Sequence, residues 1–137
     1  MTTHESLSDE VFLSEFLACS LPPEQFDHRA HVRVAWLLLG RYPLEEAVER
    51  ICEGIQRYAT HHGATEKYHR TLSEAIVRLM AQGDGRTARS WEHFLGANAE
   101  LLRDVRGMIA KYYSPERLGS IEAKRTFVPP DRQPLPL

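Results

Sequence analysis

Leu44, Val48, Ile51, Ile55 and Tyr58 recur at spacings of four, three, four and three. Only an α-helix brings residues at such intervals onto one stripe. Glu45, Glu46, Glu49, Arg50, Glu53 and Arg57 occupy the remaining positions as a solvated face. No segment of the 137-residue chain shows the apolar–polar alternation of a half-buried strand. A chain with this pattern has to make its core by packing helices on helices.

The neighbouring segments carry helical start and stop signals. Ser8 or Asp9 can cap a first helix with Val11, Phe12, Phe16 and Cys19 on its apolar face, ended by Leu21-Pro22-Pro23. Asp27 is a natural cap for a second, running to about Arg41, with Gly40 and Pro43 as its stop. Val34 through Leu39 is apolar nearly all round, which predicts the most buried helix of the fold. Gly63 ends the third helix. Thr65 can cap a fourth, striped by Tyr68, Leu72, Ile76, Leu79 and Met80. Gln82 to Arg86 is a loop by composition. Ser90 opens a fifth helix over Trp91–Asn98, a sixth is expected over Ala99–Tyr113, and Ser114-Pro115-Glu116 starts a last short turn. From Phe127 onward, four prolines exclude regular helix and central strand. The expected fold is all-α: a single domain over residues 1–137, an up-and-down bundle of five to six helices, with an extended Pro-rich arm over 126–137.

Composition narrows the functional classes. A formal net charge of −2, with Lys and Arg spread along the chain, gives no nucleic-acid footprint. The longest apolar run, Val34–Leu39, is too short to span a bilayer, and Met1 to Asp9 lacks the basic and apolar regions of a signal peptide. Cys19 and Cys52 fall on apolar faces without redox or metal spacing, as free thiols do in a reducing cytoplasm. A cytoplasmic protein acting on a small molecule, with neither nucleic acid nor membrane as partner, is the expectation.

Histidine is the residue type that carries chemistry here. Short connections at Arg41–Pro43 and Gly63–Ala64 make the second, third and fourth helices alternate in direction, which collects His28, His31, His61, His62 and His69 at one end. His28 and His31 lie one turn apart and continue the stripe of Ala35 and Leu38, and His69 flanks the apolar arc of the fourth helix. A helix N-terminus and burial both favour the neutral, ligating imidazole. His28, His31 and His69 are therefore the candidate metal ligands, three imidazoles leaving positions open for water or substrate. All-imidazole ligation suits a divalent Zn, Fe, Mn, Ni or Cu ion without selecting among them. Beside them, Tyr68 and Glu66 are candidate proton-transfer groups, and Lys67 and Arg125 candidate substrate-binding cations. Glu66 also fits a first-turn acid that complements a helix dipole.

Several short motifs follow one another in a fixed order: Phe26-x-His28-x-x-His31 with Ala35-Trp36-Leu37, then Lys67-Tyr68-His69-x-Thr71, Asn98-x-x-Leu101, Tyr112-Tyr113-Ser114 with Leu118, and Arg125-x-Phe127 ahead of Pro130-Asp131. In this order, over roughly residues 24–136, the chain resembles an uncharacterised family of small all-helical bacterial proteins. The resemblance implies His28, His31 and His69 rather than His61 and His62 as the set that matters, and implies no activity. Three functions remain open at this point: a metal-dependent enzyme built on the three histidines, a metal-free acid–base isomerase, lyase or cyclase, and a non-catalytic binding or accessory protein whose histidines are structural. The terminal arm is either a lid, with Arg125 clamping an anion, or a packing strap.

Overall fold

A computed structural model describes residues 4–82 and 90–135. These residues form α-helices and 3₁₀ turns with no strand among them, so the chain is all-α. Among the described residues no helix is long and apolar enough to cross a membrane. The chain divides into two compact units, Met1–Tyr68 and His69–Leu137.

The first unit contains a 3₁₀ turn at His4–Ser6, α1 (Asp9–Leu17), a second turn at Pro23–Gln25, α2 (His28–Leu39), α3 (Leu44–His61) and a third turn at Thr65–Lys67. Its start signals work as their chemistry predicts. Ser8 Oγ accepts the Val11 amide at 3.2 Å and Asp27 Oδ1 the Ala30 amide at 2.9 Å, each satisfying a donor that has no partner within its helix. Pro43 precedes α3, whose stripe is buried at Val48, Ile51, Ile55 and Tyr58. Nine of the twelve residues of α2 are buried, so its apolar run is the packed centre of this unit. The four-residue turn 40–43 allows α2 and α3 only an antiparallel hairpin. α1 packs on both, and a Cβ at Gly54 would stand 3.0 Å from the Phe16 ring, so glycine there lets α1 approach α3.

One buried charge ties the start of the chain to α2. Arg33 is 3% exposed; its guanidinium donates to the carbonyls of His4 (2.7 Å) and Leu7 (2.9 Å) and to Asp9 Oδ1 (2.7 Å), and lies over the Phe12 ring at 4.6 Å. Arginine suits this place because its planar fork can serve several acceptors from one buried position.

The second unit contains α4 (Arg70–Gln82), α5 (Trp91–Ala97), α6 (Ala99–Arg103), α7 (Val105–Ile109), α8 (Pro115–Leu118) and α9 (Ile121–Arg125). Ala75, Ile109, Tyr113, Ala123 and Val128 form its core. The sixth helix expected over Ala99–Tyr113 is broken at Asp104, which leaves helical geometry at φ −145°, ψ 63° and caps α7 by accepting the Gly107 amide at 3.1 Å. An aspartate side chain competes with the backbone in this way, and apolar spacing does not register it. A Cβ at position 107 would overlap the Asp104 carboxylate. The loop expected at Gln82–Arg86 lies, beyond Gln82, outside the described residues.

Residues 126–135 contain no helix and are fastened along the second unit. Thr71, fully buried, donates its hydroxyl proton to the Thr126 carbonyl (2.8 Å) and accepts the Val128 amide (3.1 Å). The Tyr113 hydroxyl donates to the Val128 carbonyl at 2.7 Å. Asp131 accepts both the hydroxyl (2.6 Å) and the amide (2.8 Å) of Ser114, bonds that hold its carboxyl below the usual range. Arg132 donates from its amide to the Tyr112 carbonyl and from its side chain to the Ala110 carbonyl. These bonds give the segment the character of a strap. Thr71→Val keeps the shape but strips a buried amide of its acceptor and a carbonyl of its donor. A loss of about 2 kcal/mol in chemical denaturation is expected, with faster proteolysis between 126 and 135. A loss under about 0.5 kcal/mol would mean that the strap contributes little through this residue.

Candidate functional site

Tertiary contacts of the first unit converge on a cavity of about 280 Å³ at the end of α3. Pro23 and Phe26 reach it from the segment before α2, and His31 from the first turn of α2. Tyr58 and His62 come from the end of α3, and Lys67 and Tyr68 from the last 3₁₀ turn. The rings form a continuous cluster: Phe26 lies 4.1 Å from His31 and 4.4 Å from Tyr58, and Tyr58 lies 4.4 Å from His62, centroid to centroid.

The chain reversal after α1 places two of these walls. Cys19 adopts φ 61°, the left-handed conformation that closes a helix, and the Ser20 amide bonds back to the Glu15 carbonyl. The two carbonyls that turn outward there are taken by α3. The Tyr58 hydroxyl donates to the Leu21 carbonyl at 2.6 Å and His62 Nε2 donates to the Cys19 carbonyl at 3.0 Å. Burial pushes the Tyr58 hydroxyl up to about 12, so it remains a donor.

His31 is fixed by its own helix. Nδ1 donates to the Asp27 carbonyl at 3.2 Å, which assigns the ring proton to Nδ1 and the lone pair to Nε2. That Nε2 has no hydrogen-bond partner among the described residues, on a ring that lines the cavity. Burial holds His31 below the usual histidine value, opposed by the bond to Asp27 and helped by the neighbouring charge of His28. His62 lines the same aromatic cavity with its Nε2 engaged by the Cys19 carbonyl.

Acid should destabilise the first unit through His4 and His31. His4, 1% exposed with Nε2 3.4 Å from Asp27 Oδ1, is also held below its usual value by burial; Asp27 and Glu5 pull it up, Arg33 and Arg29 push it down. The unfolded chain takes up both protons near pH 6.5, whereas the folded chain resists them. The unfolded state therefore binds more protons below that value, and stability, complete above it, declines as pH falls toward the folded pKa values. Denaturation midpoints followed from about pH 7.5 to about pH 5 should decrease, and decrease less in His4→Gln. A flat profile would contradict neutral burial of His4 and His31.

The residues singled out in the sequence are distributed as follows. His31, Lys67 and Tyr68 meet in the cavity; His28, half-buried, sits one turn before His31 on α2. Glu66 is exposed and is not among the lining residues. The fourth helix, expected to be capped by Thr65, starts only at Arg70: Tyr68 is extended (φ −73°, ψ 134°) and separates the Thr65–Lys67 turn from α4, so Glu66 is not a first-turn acid of that helix. His69 opens the second unit, where its Nδ1 accepts the Leu72 amide at 3.0 Å and its Nε2 donates to the Leu118 carbonyl at 2.7 Å. It does the work of an N-cap for α4, with both ring nitrogens engaged. Arg125 is exposed at the end of α9 and makes no ion pair among the described residues. No group of three or more His, Cys, Asp or Glu stands ready to hold a metal ion among the described residues. Phe26, named in the sequence only within its first motif, and His62, set aside in favour of His28, His31 and His69, also line the cavity. His62 extends the α3 stripe by one further step of four after Tyr58, and Phe26 precedes the Asp27 cap at the place where an apolar residue often packs back on a helix.

Comparison with protein families, curated proteins and solved structures found no match. The function has to be argued from the cavity.

Proposed function

We propose that the chain is an enzyme acting on a small molecule in the His31 cavity, with His31 Nε2 as a metal-independent general base for isomerase, lyase or cyclase chemistry. The observation that carries this reading is the His31 ring: its proton is committed to the Asp27 carbonyl and its lone pair is left available beside the cavity. An imidazole fixed in one tautomer and neutral near pH 7 is suited to accept a proton from a bound carbon or hydroxyl acid. The aromatic walls would exclude water, and Lys67 at the rim would hold an anionic part of the substrate.

A metal centre is the second reading, and the spacing of His28 and His31 favours it: two imidazoles one turn apart, one with an uncommitted lone pair. In that reading His69 would first have to release the Leu72 amide. The divalent ion would supply Lewis acidity.

Two measurements test these readings together. Purified untagged protein is incubated in D₂O with a panel of small hydroxy, keto and unsaturated acids, and substrate deuteration or conversion is followed by NMR. Metal content is measured by plasma mass spectrometry after chelation and after reconstitution. Conversion by chelated protein, lost in His31→Gln, supports the general base. Conversion that requires one equivalent of metal supports the second reading. No conversion under any condition leaves a binding or accessory protein.

A further inference from the structure

The cavity's lining specifies a ligand more narrowly than "small molecule". We infer that it takes a single-ring, planar organic acid bearing a hydroxyl or N–H donor, a hydroxybenzoate-like anion being the simplest representative. This rests on the cavity being the reacting centre, and adds the class of compound bound there.

Three features of the lining point the same way. First, its walls are rings: Phe26 and Tyr58 cross at 49° with centroids 4.4 Å apart, and Tyr68 and Pro23 complete the apolar surface. Flat π-faces and edges favour another flat ring over a flexible chain, because offset or edge-on contact adds to area burial. Second, the polar points are complementary to a particular pair of groups. His31 Nε2 is an acceptor with no hydrogen-bond partner among the described residues, on a ring that lines the cavity. Lys67 is the one Lys, Arg, Asp or Glu among the lining residues, and its ammonium offers a partner for an anionic group. A ligand with a donor at one end and an anionic group at another satisfies both; a hydrocarbon satisfies neither. Third, the size suits a single ring. About 280 Å³ falls just below the range of roughly 300–1,000 Å³ that holds drug-sized ligands, and a ring with two substituents fits within it.

The test is equilibrium binding, which separates this inference from the catalytic reading. 4-Hydroxybenzoate, benzoate, 4-hydroxybenzyl alcohol and cyclohexanecarboxylate are titrated into ¹⁵N-labelled protein. Expected is binding of 4-hydroxybenzoate with shifts at Phe26, Tyr58 and His62. Benzoate and 4-hydroxybenzyl alcohol should each bind about fivefold more weakly, for one hydrogen bond and one partly exposed ion pair respectively. Lys67→Met, at an exposed position, should remove the preference for the acid over the alcohol without altering the fold. The His31 ring ¹⁵N shifts should move with 4-hydroxybenzoate and hardly with benzoate. Equal affinity for cyclohexanecarboxylate, shifts located elsewhere, or no binding of any of the four at millimolar concentration would overturn the inference. Such a failure leaves the general base standing if another acid is deuterated, whereas selective binding with no turnover overturns only the catalytic reading.

Discussion

His31→Gln is expected to slow deuteration or conversion of a substrate about 10²–10⁴-fold, the range that a positioned general base contributes. Glutamine is polar and of similar size, so it can keep a contact with the Asp27 carbonyl, but it cannot take up a proton at neutral pH. The loss should therefore fall on kcat, with KM changed much less. The pH profile discriminates further. In the parent the rate should fall on the acid side as His31 protonates, at a pH below the usual histidine value because burial disfavours the charged ring. The variant's residual rate should lose that limb. A drop of less than about tenfold, with the acid limb retained, would reduce His31 to a wall of the cavity.

Glu74→Ala should cost the second unit about 3 kcal/mol, toward the lower end for loss of one partner in a buried charge cluster. Glu74 is only 5% exposed, in the middle of α4. Its Oε1 accepts from Arg70 Nε (3.1 Å) and Nη2 (2.9 Å), and its Oε2 from Arg78 Nε (3.0 Å) and Nη2 (2.9 Å). Two guanidiniums, 21% and 18% exposed, thus share one carboxylate. Removing it leaves two like charges one above the other on the helix, both partly withdrawn from water. Their residual exposure is the reason to expect the lower figure. Replacing all three by apolar residues, Arg70→Met with Glu74→Leu and Arg78→Met, should recover most of the loss, since it removes the two like charges together with the carboxylate between them. Arg78 also lies over the Phe127 ring at 5.8 Å, so full recovery is not expected. Denaturation of the single and triple variants decides between these terms. An alanine variant as stable as the parent would show that water solvates both arginines.

Local rules account for much of this protein. The caps at Ser8, Asp27, Ser90 and Ser114 were legible because a short oxygen-bearing side chain ahead of an apolar run satisfies amides three residues on. The α3 stripe and the buried run of α2 were legible because their period belongs to the helix itself. His31 was legible as an inward residue for the same reason; Lys67 and Tyr68 were singled out as sequence neighbours of His69, though they reach the cavity from the Thr65–Lys67 turn and the extended residue after it, not from the fourth helix.

What escaped depends on partners far along the chain. A histidine on an apolar arc can be a ligand, a base or a cap, and the choice turns on what its two nitrogens meet. His69 became a cap because the Leu118 carbonyl, forty-nine residues later, receives its Nε2 proton. His62 became a cavity wall because the left-handed turn at Cys19 aims a carbonyl at it. The break at Tyr68, which separates Glu66 from α4, accompanies burial of the tyrosine ring in the cavity. Spacing along the sequence thus determined that the chain is helical, where its first helices start and which faces they bury, since each of these follows from bonds within a few residues. Only the tertiary structure decided what the ring nitrogens of His62 and His69 meet, because the Cys19 and Leu118 carbonyls that engage them come from remote segments.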